Sequence, residues 1–133
     1  MQDSFLAPRL TPQPAIKLIL VVEDEVNIGI LIVQFIQDEM GHYAVHHMTG
    51  NHAIEMCRTQ TPHLFILDYG LPDMTGLELH DQLHTFDHLS KVPTLMISAR
   101  KPPQRELQQR NISFVSKPFD LTYLQRTIGR LLA

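Results

Sequence analysis

From Lys17 onward the chain alternates short apolar runs with stretches whose apolar residues recur every three or four positions. LILVV at 18–22 predicts a strand. Ile28, Leu31, Ile32, Phe35 and Ile36 then fall at helical spacing, and Gly41 is the residue type that ends a helix in a left-handed conformation. YAVHHM at 43–48 predicts a weaker strand, whose His46 and His47 suit an edge position where polar groups discourage pairing with another chain. Ala53, Ile54, Met56 and Cys57 line a second helix, which Pro62 closes. LFILD at 64–68 reads as a buried strand, and Gly76 opens a third helix with Leu79, Leu83 and Phe86 inward. PTLMI at 93–97 and SFVS at 113–116 predict the fourth and fifth strands; Leu121, Leu124, Ile128 and Leu131 stripe a last helix. Between those strands Pro102 and Pro103 forbid helix before Gln104, and Asn111 is a stop. The fourth helix is therefore shortened to residues 104–110, with Leu107 its only large apolar anchor.

Strands that are continuously apolar are buried on both faces, and helices between them supply the crossovers that parallel pairing requires. The fold class is therefore α/β, a doubly wound parallel sheet of five strands. In such sheets ligands bind outside the carboxyl ends of the strands, where the strand order switches. The first 16 residues, MQDSFLAPRLTPQPAI, are interrupted by Pro8, Pro12 and Pro14 and read as a flexible arm, leaving 17–133 as the domain.

Composition narrows this further. The 133 residues suffice for one core, and 44% hydrophobic with 19% charged is the balance of a chain that folds. The net charge of −3 and the lack of a Lys/Arg run leave nothing to grip a phosphate backbone, so no direct nucleic-acid partner is expected. A single cysteine, Cys57, excludes an internal disulfide and on the apolar side of its helix reads as a small core residue. No apolar run is long enough to span a bilayer, and the N-terminus has no signal-peptide pattern, so a cytoplasmic protein without membrane insertion is expected.

Candidate chemistry sits where the topology puts it. Strand one runs into Glu23, Asp24 and Glu25; strand three ends at Asp68, strand four at Ser98, and strand five at Lys117, followed by Pro118. Each has an ordinary explanation as a helix-end partner or a solvated loop charge. Carboxylates, a hydroxyl and an ammonium at one edge of one sheet do not. Clustered carboxylates stay ionised together only around positive charge, which Lys117 and a hard divalent cation such as Mg²⁺ both supply. An Asp carboxylate can then accept a phosphoryl group, and Asp68, held on a buried strand, is the candidate.

LILVVEDE (18–25), LFILDYGLPDMTGLEL (64–79), PTLMISAR (93–100) and FVSKPF (114–119) resemble, in order and approximate spacing, the receiver domain of two-component response regulators. The resemblance implies a flavodoxin-like strand order, 2-1-3-4-5, and a signalling module that is no enzyme beyond its own aspartyl phosphorylation and dephosphorylation. It implies that Asp68 is the phosphoacceptor, that Asp24 and Asp68 bind Mg²⁺ directly, that Glu23 assists through water, and that the Gly70 carbonyl completes the protein ligands. Ser98 would hydrogen-bond the phosphoryl group, Lys117 would pair with Asp68 or its phosphoryl oxygens, and Phe114 occupies the family's switch-aromatic position. The Lys117–Pro118 bond is often cis in similar proteins. The partners implied are a sensor histidine kinase or a histidine phosphotransfer protein upstream and a protein target downstream.

The sequence also departs from the family. Glu23 replaces the usual Asp, Ser98 the commoner Thr, and Gly70 has no side chain to shield a phosphoryl group from water. Lys117 follows Ser98 by 19 positions, fewer than is usual, consistent with the shortened fourth helix. No output domain is expected after Ala133, so output is expected through protein contacts unless the sequence is a piece of a larger protein, and the reduced 99–112 segment argues for a monomer, or a dimer on another face.

Two other readings stand beside the phosphorylated receiver. An unphosphorylated receiver-like interaction module would have no reason to keep Asp24, Asp68, Ser98 and Lys117 together. A haloacid-dehalogenase-like phosphohydrolase would carry a second Asp where Gly70 stands. His80, His84 and His88 at successive i, i+4 steps suggest a metal site, but Leu79, Leu83 and Phe86 define the inward face and leave His80 and His84 toward solvent. Met48, Met56, Met74 and Met96 read as core filler.

Overall fold

The computed structural model describes residues 15–133. The arm expected over 1–16 lies outside the described residues except for Ala15 and Ile16, which have no regular structure. Five strands, β1 (Leu18–Val22), β2 (Tyr43–His47), β3 (Leu64–Asp68), β4 (Thr94–Ser98) and β5 (Ser113–Ser116), pair in parallel in the order β2-β1-β3-β4-β5. Five helices connect them: α1 (Val26–Met40), α2 (Gly50–Cys57), α3 (Gly76–His84), α4 (Gln104–Gln109) and α5 (Leu121–Leu132). A 3₁₀ turn at Asp87–Leu89, without a signal in the apolar pattern, follows α3. The doubly wound fold and its strand order agree with the sequence expectation.

β3 and β4 are buried throughout, as their continuous apolar runs require. Alternate residues feed two faces. Ile19, Val21, Leu64, Ile66, Leu95 and Ile97 pack with Ile32 and Ile36 of α1 and Leu124 and Ile128 of α5. Leu20, Val22, Phe65 and Leu67 pack with α2 and α3 on the other face, and Met96 carries a smaller cluster with Leu107 of α4 and Ile112.

Helix ends follow the residues present. Gly41 closes α1 with φ 70°, donating its N–H to the Ile36 carbonyl. Thr75 and Glu78 form a reciprocal capping box on α3, and Asp120 accepts from the N–H groups of Thr122 and Tyr123 at α5. α2 ends at Cys57, well before Pro62, so the proline does not close it. α4 begins directly after Pro103, and Asn111 turns the chain with φ 56°.

The inward face of α3 differs from the one expected. Gly76, Leu79, His80 and Leu83 are its buried residues, and His84 is half-buried. The helix ends at His84, so Phe86 lies beyond it in an extended conformation and does not mark the helical face, although it packs against the core. With Phe86 removed, residues 76, 79, 80 and 83 form one stripe and His80 belongs to it. Both His84 ring nitrogens face backbone carbonyls, of His80 and Val92, each at 2.8 Å. Among the methionines, Met96 is buried and Met56 and Met74 pack against the core, but Met48 is 41% exposed at the open end of the edge strand.

The six-residue α4 is too short to be stable alone. Leu107, 2% exposed, anchors it from inside. Outside, Arg110 grips Asp81 of α3 in a two-pronged pair, Nε to Oδ1 at 2.8 Å and Nη2 to Oδ2 at 2.9 Å, while Nη1 meets Glu106 Oε1 at 2.9 Å. The Arg110 hydrogen bond is the main reason that the Asp81 carboxyl lies below its ordinary value of 3.8, with burial opposing it and His80 adding to it.

Leu107→Ala should cost about 2–5 kcal/mol and raise hydrogen exchange across α4; parent-like exchange in that helix would show that Leu107 does not anchor it. A depressed acid contributes stability that is present above its unfolded value and lost as pH falls through the folded one. Below about pH 4, therefore, α4 amides should lose protection in the parent, whereas Asp81→Asn should show no such acid-dependent step. Equal pH dependence in both proteins would assign that loosening to another group.

Candidate metal and phosphoryl-acceptor site

Strand register places the candidate residues together. Leu67 of β3 pairs with Met96, Asp68 with Ile97, and Ser98 with Ser116, so β3, β4 and β5 finish side by side, while Val22 of β1 lies beside Leu67. The next residue of β1 is Glu23 and the next of β5 is Lys117. Glu23, Asp68 and Ser98 are 2%, 7% and 6% exposed, an unusual state for two carboxyl groups.

Lys117 makes that burial tolerable. Its Nζ lies 2.8 Å from Glu23 Oε1, 3.3 Å from Glu25 Oε1 and 3.4 Å from Asp68 Oδ2. The second Glu23 oxygen accepts from the Glu25 N–H at 3.1 Å. Burial pushes the Glu23 carboxyl up to about 7, against the pull of Lys117 and the Glu25 N–H, and the neighbouring Asp68 charge adds to the rise. For Lys117, burial works to lower the ammonium's value, but the bond to Glu23 and the charges of Glu23 and Asp68 outweigh it and hold it above the ordinary range. Both directions have one origin: three carboxyl groups share one ammonium, and the cluster is short of positive charge.

A hard cation fits that deficit. One oxygen from each of Glu23, Asp24 and Asp68 can be chosen so that all three lie within 4.8 Å of one another. Asp24 and Asp68 line a cleft of about 350 Å³ together with Gly70, Ser98 and Lys117. An all-oxygen donor set at a solvent-accessible edge suits Mg²⁺, which keeps several waters. The Gly70 backbone forms an isolated antiparallel bridge with Thr75 at the mouth of this cleft.

Local sequence explains the close fit behind Asp68. A Cβ on Gly76 would lie 2.5 Å from the Asp68 carbonyl oxygen, so only glycine lets α3 start against the end of β3. The intervening loop is pinned at its far side, where Asp73 accepts from the N–H groups of Gly50 and Asn51, both at 2.9 Å. Beyond the cleft, the Lys117–Pro118 bond is cis and Lys117 N–H donates to the Ser98 carbonyl at 3.0 Å. The Ser98 hydroxyl accepts from Arg100 N–H at 3.3 Å. Phe114 is not in the cleft: half-buried on β5, it packs against the cluster of Met96, Leu107 and Ile112, with Lys101 Nζ 5.7 Å from its ring centre.

Some site residues escaped the sequence reading. Glu25 is visible there as a strand-end acid, but nothing in spacing says that it reaches Lys117. Tyr69 and Arg100 line the cleft, with the guanidinium 5.7 Å from the ring centre. Both flank residues already singled out, and this adjacency is the signal that could have found them. Asp73, 23 positions from Gly50, had none.

Comparison with known proteins places this arrangement. The chain is 29% identical over 122 residues to the aerobic respiration control sensor protein ArcB of Escherichia coli (strain K12), covering 90% of this chain and 15% of ArcB, so it spans about a seventh of that relative's length. Chemotaxis protein CheY4 of Vibrio cholerae has the same fold, with a TM-score of 0.82 at 23% identity over 89% of this chain and all of that one. The response regulator protein TrrA of Thermotoga maritima, solved in complex with Mg²⁺-BeF, superimposes with a TM-score of 0.77 at 25% identity, covering 88% of this chain and all of TrrA. Since the family model of the response regulator receiver domain matches residues 19–129, this chain belongs to that family of two-component signalling modules, which bind Mg²⁺ at an acidic pocket.

Proposed function

We propose that residues 17–133 form a phosphorylation-controlled receiver in which Asp68 takes a phosphoryl group from a phosphohistidine of a sensor kinase or phosphotransfer protein. The observation that carries the reading is Lys117 Nζ standing 3.4 Å from Asp68 Oδ2 in a cluster that lacks positive charge. An Asp68 oxygen attacks phosphorus, the P–N bond breaks, and the imidazole leaves with the bonding pair. Two anions must approach for this, and an unscreened pair at about 4 Å costs about 4 kcal/mol at an effective dielectric constant of 20. Asp24, Asp68 and the Gly70 carbonyl would hold Mg²⁺, which when bound would supply charge neutralisation at that point. Glu23, both of whose oxygens already hold a hydrogen bond or ion pair within the protein, would assist the ion through water.

Lys117 then moves its charge to the phosphoryl oxygens, and the Ser98 hydroxyl turns from Arg100 N–H toward them. The phosphoryl group brings about −1.5 to −2 charge and strong acceptors, enough to reorient a hydroxyl. Phe114, lacking the phenolic oxygen of a tyrosine, moves inward into the space that Ser98 leaves without needing a polar partner.

With Mg²⁺ and a small-molecule phosphodonor, the parent should gain the mass of one phosphoryl group and Asp68→Ala none. Labelling of Asp68→Ala at the parental level would refute Asp68 as acceptor, and a parent that never labels would favour an interaction module. Asp24→Asn should weaken Mg²⁺ binding by at least about tenfold, since even residues that only orient metal ligands contribute that much. Calorimetric titration measures it, and unchanged affinity would remove Asp24 from the ligands.

A further inference from the structure

An edge position explains a polar residue at 46 but not what His46 does. Ala44, two residues earlier on β2, packs with the cluster that includes α1, so His46 points to the same face of the sheet. Its Nε2 lies 2.7 Å from the Glu23 carbonyl oxygen. A carbonyl only accepts, so Nε2 carries the proton and donates it. On its other side the ring fills space that any side chain at 29 would need: a Cβ on Gly29, in the first turn of α1, would lie 2.2 Å from Cε1 and Nε2. The ring is thus wedged between the two ends of the short segment that carries Asp24 and Glu25.

Its other restraints are the ion pairs of Glu23 and Glu25 with Lys117, the bond from the Glu25 N–H to Glu23 Oε2, and the bond from the Gly29 N–H to the Glu25 carbonyl. α2, α3 and α5 have side-chain caps from Thr49, Thr75 and Asp120, whereas the residue preceding α1, Glu25, makes no capping bond. The Glu23 N–H donates to the His47 carbonyl at 3.0 Å. Both backbone polar groups of Glu23 are therefore tied to β2, one of them through the His46 ring.

We propose that His46 is a positioning residue for the metal site: by holding the Glu23 carbonyl against the glycine at 29, it sets the direction in which the Asp24 carboxylate leaves the strand. This rests on the reading of Glu23, Asp24 and Asp68 as a Mg²⁺ site. Groups behind a metal ligand that orient it contribute about 10–100-fold in affinity. His46→Leu keeps bulk and removes the donor. His46→Gln keeps an N–H at the same number of bonds from Cβ.

The test uses the full chain, metal-free and titrated with Mg²⁺ alone. In the metal-free parent, nitrogen-15 spectra should show His46 as the Nε2–H tautomer, and His46→Leu should shift the Asp24 and Glu25 amide signals. Mg²⁺ affinity should fall about tenfold in His46→Leu and return most of the way in His46→Gln. Gly29→Ala, which pushes the ring off the carbonyl, should give the same loss by a second route should the leucine variant fold poorly. Parental affinity in both His46→Leu and Gly29→Ala, or the Nδ1–H tautomer in the parent, would overturn the assignment while leaving the metal site standing. Equal losses in His46→Leu and His46→Gln that track thermal stability would reduce His46 to packing. A parent that binds no Mg²⁺ would overturn the reading of the site itself, and this assignment with it.

Discussion

One ammonium group, Lys117 Nζ, stands within 3.4 Å of carboxylate oxygens from two strand ends and the turn after β1, and the rest of the molecule is arranged so that they can meet. Bringing acids together out of water is unfavourable twice over, through lost hydration and through mutual repulsion. A single cation offsets part of that. The remainder appears in the Glu23 carboxyl, pushed up to about 7. The site is thus left with an unmet demand for positive charge, and that demand is its chemistry: a structure relaxed to neutrality would have no use for a divalent ion.

A frame that holds like charges close must not yield, and the parallel sheet supplies the stiffness. β3 is buried along its whole length, so Asp68 is presented by a strand with no freedom to withdraw. The turns at the sheet's edge are less constrained by packing, and each is fixed by polar contacts from another element. Asp73 fastens the loop after β3 to the start of α2. His46 fastens the turn after β1 to the edge strand. Asp73 reaches from its loop to open N–H groups at the start of α2, and His46 reaches from the edge strand to the open carbonyl of Glu23.

This division also separates what could be read in the sequence from what could not. Uninterrupted runs such as LFILD and PTLMI left little choice but buried parallel strands, and parallel strands put their last residues on one edge, so Glu23, Asp68, Ser98 and Lys117 were legible as neighbours. The proline pair at 102–103 likewise bounded α4 to within one residue. Legibility ended where a contact depends on distance in space alone. The spacing of Leu79, Leu83 and Phe86 points to the wrong inner face for His80, because α3 ends at His84 and leaves Phe86 outside the helix. His46 looked like edge-strand polarity because the glycine that accommodates its ring lies on another element. Asp73 and Arg110 act across 22–23 and 29 positions respectively, and no periodicity carries such information.

The same geometry decides where a change beside Asp68 would be felt. Ser98 ends β4, and two residues back Met96 belongs to the cluster that holds Leu107 and Ile112, against which Phe114 packs from β5. That cluster is the smallest of the three, and the helix it supports has only six residues and one buried side chain. Elements with little buried apolar contact open at the lowest free energy, so a displacement spreading from Ser98 meets least resistance toward α4. The faces covered by α1 with α5 and by α2 with α3 are anchored by longer helices and larger clusters. What restrains α4 beyond Leu107 is the two-pronged contact between Arg110 and Asp81, a charged pair whose acid is half in solvent. A surface pair of that kind contributes little to overall stability. It fixes the orientation of a short helix all the same, because so little else does. The shortening of α4, which at first sight only removes surface, thereby leaves this segment held by one buried side chain and one charged pair, next to the strand that ends at Ser98.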